Sequence, residues 1–197
     1  MTDSLPGAEH RRLTVAVGYA VEVLDAVGAP ELSLPTPCGA WNLRMLLEHA
    51  DDSVAVLHEG LTARRVAVCQ DTAPAGARSA AGLIGAFRQR AAALLDASAQ
   101  ADGGPPVAVG GYPLPVDCLR TVGALEIAVH AWDIARACGE RLPIPDELAE
   151  YLLAQARLLV PRAGREPLFG APVPVPARAS PGERLTAYLG RPVRRGG

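Results

Sequence analysis

Between Pro115 and Gly139 the chain runs V-D-C-L-R-T-V-G-A-L-E-I-A-V-H-A-W-D-I-A-R-A-C without an internal proline. Proline suits the start of a helix and glycine the position just after its C-cap. With Leu119, Val122, Leu125, Val129 and Ala137 recurring along it, the segment predicts a long helix buried in a helical core. Glu126 and His130 adjoin this apolar stripe, four residues apart. Four residues is slightly more than one turn, so both side chains leave the same face. An uncompensated buried carboxylate is costly, so Glu126 needs a cation or a hydrogen-bond donor. Two answers are open: an arginine, with His130 an ordinary core histidine, or a metal ion gripped by both side chains.

Three more long helices are expected. Leu13, Val17, Ala20, Val21 and Leu24 keep helical spacing from about Arg11 to Val27, and Gly28 and Pro30 end the run. Asn42 is a candidate N-cap for a second helix carrying Leu43, Leu46, Leu47, Ala50, Val54 and Leu57, with Trp41 placed to staple onto Leu46. A third spans about Ser79 to Ala97 on Leu83, Ile84, Phe87, Ala91 and Leu94. Shorter helices are expected over Asp146 to Leu159 and Pro181 to Leu189.

The Gly/Pro-rich stretch Gly103 to Pro115 contains V-A-V, a short strand or an extended lid. Loops of this length are usually functional, so substrate selectivity is expected there and in the tail near Phe169.

Only 4% of the residues are aromatic while Ala, Leu, Val and Arg abound, which argues against a sandwich or barrel. The fold class is therefore all-α: an up-and-down four-helix bundle with extra short helices. One domain over residues 1–197 is expected, its extended tail 165–197 wrapping the bundle.

A formal charge of −2, with arginines scattered apart from the tail R-P-V-R-R, is the wrong footprint for a nucleic-acid partner. None of the basic residues is lysine, which excludes a Schiff-base or P-loop lysine. Arginine in place of lysine throughout is the coding pattern of a GC-rich genome. Cys38, Cys69, Cys118 and Cys138 lack C-x-x-C spacing and read as free thiols of a cytoplasmic protein. The N-terminal M-T-D-S-L-P-G-A-E-H-R-R lacks the apolar core of a secretory signal. No run reaches the roughly 18 apolar residues of a membrane span, so no membrane partner is expected.

His49 borders the apolar face of the second helix, whereas His58 lies half a turn out of phase and is expected to be solvated. Two histidines and a carboxylate from two helices leave one position for water or substrate, the pattern of catalytic zinc. E-x-x-x-H on a helix is by itself a weak signal. Asp133 could orient His130 or form an ordinary helix ion pair with an arginine. Asp52 could support His49 or be solvated. Cys38 could approach the cavity or be an inert buried thiol. Trp41 and Trp132 are expected to be packing residues.

The segments L-P-T-P-C-G-A-W-N-L-R-M-L-L-E-H and E-I-A-V-H-A-W-D-I-A-R-A resemble the metal-binding DinB-like four-helix family. That family includes the N-terminal domain of mycothiol-dependent maleylpyruvate isomerases and short actinobacterial relatives, whose ends are similar to the tail F-G-A-P-V-P-V-P and P-G-E-R-L-T-A-Y-L-G-R. Three motifs in order span nearly the whole chain. The resemblance implies a DinB-like bundle in which His49, Glu126 and His130 ligate a divalent metal and form the catalytic centre. The metal it implies is Zn2+, with Ni2+ or Fe2+ as alternatives.

It further implies mycothiol, a low-molecular-weight thiol, as cosubstrate of a thiol transferase or isomerase acting on a small electrophilic molecule. The full isomerases carry an additional C-terminal domain for which 197 residues leave no room, so a reaction other than maleylpyruvate isomerisation is expected. Two other readings stay open: a thiol-independent metalloenzyme (lyase, cyclase or isomerase) of specialised metabolism, and a non-catalytic bundle that binds a metal or ligand. A homodimer is compatible with a bundle of this size.

Overall fold

The computed structural model describes residues 7–39, 41–66, 78–161, 163–165 and 168–191. Four long helices, α1 (Ala8–Val27), α2 (Leu43–Ala63), α3 (Ala80–Gln100) and α4 (Val116–Ala137), precede the shorter α5 (Asp146–Leu159) and α6 (Pro181–Tyr188). Capping sets several boundaries. The Asn42 side chain accepts from the amide of Met45, Ser79 accepts from that of Gly82, and Ser180 and Glu183 form a reciprocal box at the start of α6. Beyond α4, Gly139 turns the chain away at φ 82°, a conformation that favours glycine.

The V-A-V stretch is a strand. β2 (Val107–Val109) pairs in parallel with β1 (Arg65–Val66), which follows α2, and antiparallel with β3 (Tyr112–Leu114) across a Gly110-Gly111 turn. Arg64 fastens the junction by donating to the carbonyls of Ala101 and Pro105.

α1 packs on α3 and α4, and α2 packs on the same two helices, so the order around the bundle is α1, α3, α2, α4. The long connections 28–42 and 101–115 each cross to the diagonally opposite helix. α4 also meets α5, which explains why it is apolar on nearly every side.

Two glycines bring α2 and α4 close together. A Cβ on Gly123 would lie 2.8 Å from Leu57 Cδ1, and one on Gly60 would lie 2.9 Å from Leu119 Cδ2. Each glycine is thus a notch for a leucine of the opposing helix, and the helix carrying His49 comes against the one carrying Glu126 and His130. On the other flank of α2, buried Asp51 receives Arg90 at 2.9 Å and Arg78 at 3.0 Å, tying it to α3 and the segment before it.

The chain after α5 returns over the bundle. Arg165 is buried and donates to the carbonyls of Pro161, Gly170 and Tyr188, binding the strap at 168–170 to the end of α6. Among the described residues no helix is long and apolar enough to cross a membrane. Cys38, Cys118 and Cys138 are free thiols, while Cys69 and residues 192–197 of the expected tail lie outside the described residues.

Candidate metal centre

His49, Glu126 and His130 converge. The carboxylate Oε2 of Glu126 lies 3.2 Å from His130 Nε2 and 3.9 Å from His49 Nε2. All three donor atoms fall within 4.8 Å of one another. The imidazoles stand edge to face, centroids 4.9 Å apart at 88°. The partners of Glu126 in this gap are imidazoles, not an arginine. Side-chain exposures of 38% for His49 and 35% for Glu126 leave both open to a ligand, whereas His130 is buried.

Burial alone would raise the Glu126 carboxyl, but the imidazoles of His130 and His49 beside it overcome this and hold the group below the usual carboxylate range. Burial would likewise lower His130, yet its partners Asp133 and Glu126 raise it to about 9. Without a metal, His130 is therefore an imidazolium lying between two carboxylates.

Its Nδ1 stands 3.3 Å from Asp133 Oδ2, off line for a hydrogen bond. Asp133 is fully buried and also holds the guanidinium of Arg191 at 3.0 Å. The orienting reading of Asp133 is met only as a close contact with His130, and the ordinary helix ion pair is not formed: the paired arginine is Arg191 of the distant tail, and Arg136 lies over Trp132. Cys38, His130 and Asp133 form a second cluster of potential ligands, but Arg191 already reaches into it, 3.8 Å from Cys38 Sγ. Burial pushes the Cys38 thiol up against the pull of Arg191, so it is protonated at neutral pH.

The chain matches the family described as "Mycothiol maleylpyruvate isomerase N-terminal domain" over residues 13–135. It belongs to that family. Two uncharacterised proteins of Mycobacterium tuberculosis, MT0763 of strain CDC 1551 and Rv0738 of strain H37Rv, are each 35% identical to it over 179 residues, covering 87% of this chain and 91% of theirs. No solved structure gives a significant match.

The span shared with the mycothiol maleylpyruvate isomerase N-terminal domain family contains all three donor residues and Asp133. The donors edge a cavity of about 930 Å³, within the range of small-molecule sites. One wall belongs to α2 and α4 and includes Ser53, Leu125 and Val129. A second is the loop before α2, where Thr36 accepts the amide of Cys38 and bonds the Trp41 carbonyl through both its amide and its hydroxyl.

Trp41 does more than pack: it faces the cavity with its ring centroid 4.7 Å from His49 and 6.3 Å from His130, while Trp132 is buried as expected. The third wall, Leu168 to Gly170 and Leu189 to Arg191, lies beyond the family match.

Of the two segments where selectivity is expected, Phe169 and its neighbours line the cavity and Gly103 to Pro115 do not. The hairpin there pairs with β1, just past the end of α2, and that end lies about 21 Å along the helix axis from His49. Asp52 is exposed and outside the cavity wall. His58 is half-buried in a shallow groove with Gln89 and Arg90, less solvated than expected. Sequence reasoning missed Ser53, whose signal is its place four residues after His49, and Arg191, which carries no local signal.

Proposed function

We propose that this protein is a metal-dependent thiol transferase or isomerase. In it His49, Glu126 and His130 hold a divalent cation, zinc by ligand preference, and a low-molecular-weight thiol such as mycothiol meets a small electrophile in the cavity. The observation that carries the reading is the convergence of the three donor atoms at the cavity edge. Neighbouring ligands at about 2.1 Å around a tetrahedral ion stand about 3.4 Å apart. The separations of 3.2 and 3.9 Å bracket that value. The thiol enters through the family description.

A bound cation would supply Lewis-acid chemistry, lowering the pKa of a thiol and keeping its sulfur nucleophilic. The chain does the rest. Asp133 holds the His130 ring from behind, and Arg191 keeps Asp133 in place. Trp41, Leu125, Val129 and Phe169 give the cavity an apolar lining that displaces water around a small organic substrate.

The test incubates zinc-loaded protein with mycothiol, or with N-acetylcysteine as a simpler thiol, and a panel of small unsaturated acids and epoxides. Adducts or isomers should form in a thiol-dependent manner and vanish in His49→Ala. Equal rates with zinc-free protein would overturn the proposal, and turnover without thiol would assign the thiol-independent chemistry.

A further inference from the structure

α2 carries a hydroxyl that turns to a side chain instead of its own helix backbone, as Ser98 and Thr121 also do on α3 and α4. Hydroxyls inside helices ordinarily bond the carbonyl four residues back. Thr14, Thr62 and Thr186 do so, bonding His10, His58 and Gly182 at 2.9, 2.8 and 3.0 Å. Ser53 turns instead to the side chain four residues back, with Oγ 3.4 Å from His49 Nε2. This is the same nitrogen that faces Glu126. His49 and Ser53 on α2 thus form a pair with the same spacing as Glu126 and His130 on α4, and all four line one cavity.

Two polar groups on the other walls of the cavity are engaged elsewhere. The Thr36 hydroxyl is spent on the Trp41 carbonyl, and Arg191 on Asp133 and the Leu189 carbonyl. Ser53 has a partner only while the lone pair of His49 Nε2 is free. If that lone pair goes to a cation, the hydroxyl loses its acceptor and still faces the cavity.

It stands 3.4 Å from one donor nitrogen and lines the same cavity as all three donors, where an exchangeable group would lie. A thiol sulfur there, bearing negative charge, is the acceptor the displaced hydroxyl lacks.

We propose that Ser53 is a further catalytic residue, donating a hydrogen bond to the sulfur of the thiol substrate; this rests on the metal and thiol reading above.

The experiment loads Co2+ into the wild type, Ser53→Ala and Ser53→Thr, then titrates each with N-acetylcysteine while following the sulfur-to-cobalt charge-transfer absorption. All three should take up Co2+ with similar affinity. Ser53→Ala should bind the thiol roughly tenfold more weakly or worse, the size of a lost hydrogen bond to a charged acceptor, and Ser53→Thr should restore binding. Wild-type thiol affinity in Ser53→Ala would overturn the assignment and leave the metal reading intact. So would a loss confined to Co2+ affinity, because Ser53 would then act on His49 alone. A wild type that takes up no cobalt, or takes it up and shows no sulfur band, would remove the metal or the thiol reading respectively, and the role of Ser53 with it.

Discussion

Asp133 Oδ2 and Arg191 Nη2 meet at 3.0 Å in a buried ion pair, although 58 residues separate them. Through it the chain beyond α6 is joined to α4 at the helical turn that carries His130, so the tail and the candidate metal centre share one carboxylate.

Removing that carboxylate should therefore be expensive. Asp133→Asn leaves the Arg191 guanidinium buried without its counter-charge, and a loss of about 3–5 kcal/mol is expected in urea titrations of the metal-free protein. The double substitution Asp133→Asn, Arg191→Met should recover much of it. A loss below about 1 kcal/mol, the scale of exposed pairs, would mean that the two groups are solvated in solution.

The pH dependence of the metal-free protein has a definite sign. His130, raised by its carboxylate partners from a usual 6.5 to about 9, contributes stability that is complete below pH 6.5 and lost as pH rises through 9. Glu126, lowered on folding, contributes stability present above its usual 4.5 and lost as pH falls through its depressed value. The thermal midpoint should accordingly fall between pH 6.5 and 9, and Glu126→Gln should flatten that decline. An identical slope in wild type and variant would count against the pairing.

The strap over the cavity depends on two glycines touching. Gly190 has φ 84°, and a Cβ there would lie 2.6 Å from the backbone of Gly170. No side-chain rotation relieves a backbone clash, so Gly190→Ala should cost about 1–3 kcal/mol and displace the cavity wall. Amide exchange at Phe169, which donates to the Arg165 carbonyl, should accelerate in this variant; unchanged exchange and stability would show that the contact is not close in solution.

Local signals account for most of what the sequence reveals. α5 runs Asp146–Leu159 because apolar spacing and an acidic first turn agree, and Asn42 caps α2 where its side chain can reach the Met45 amide. His49, Glu126 and His130 are legible as polar residues bordering apolar stripes at helical spacing. Pairings across the fold leave no such trace. Asp51, not its neighbour Asp52, is the buried acid of α2, because Arg78 and Arg90 reach it from far along the chain. Arg191 reads as the first residue of the basic tail R-P-V-R-R, with nothing local to point it at Asp133. Gly103 to Pro115 reads as a loop suited to a site, yet β2 anchors it at the other end of α2.

If three side chains on two helices hold one cation, metal stoichiometry reports it. Wild type and Glu126→Ala, purified without chelator and reconstituted with zinc, would be compared by elemental analysis alongside circular dichroism. About one zinc per folded wild-type chain is expected, with loss of metal but retention of helix content in the variant. A wild type that binds no metal, or a variant that keeps it in full, would contradict the account.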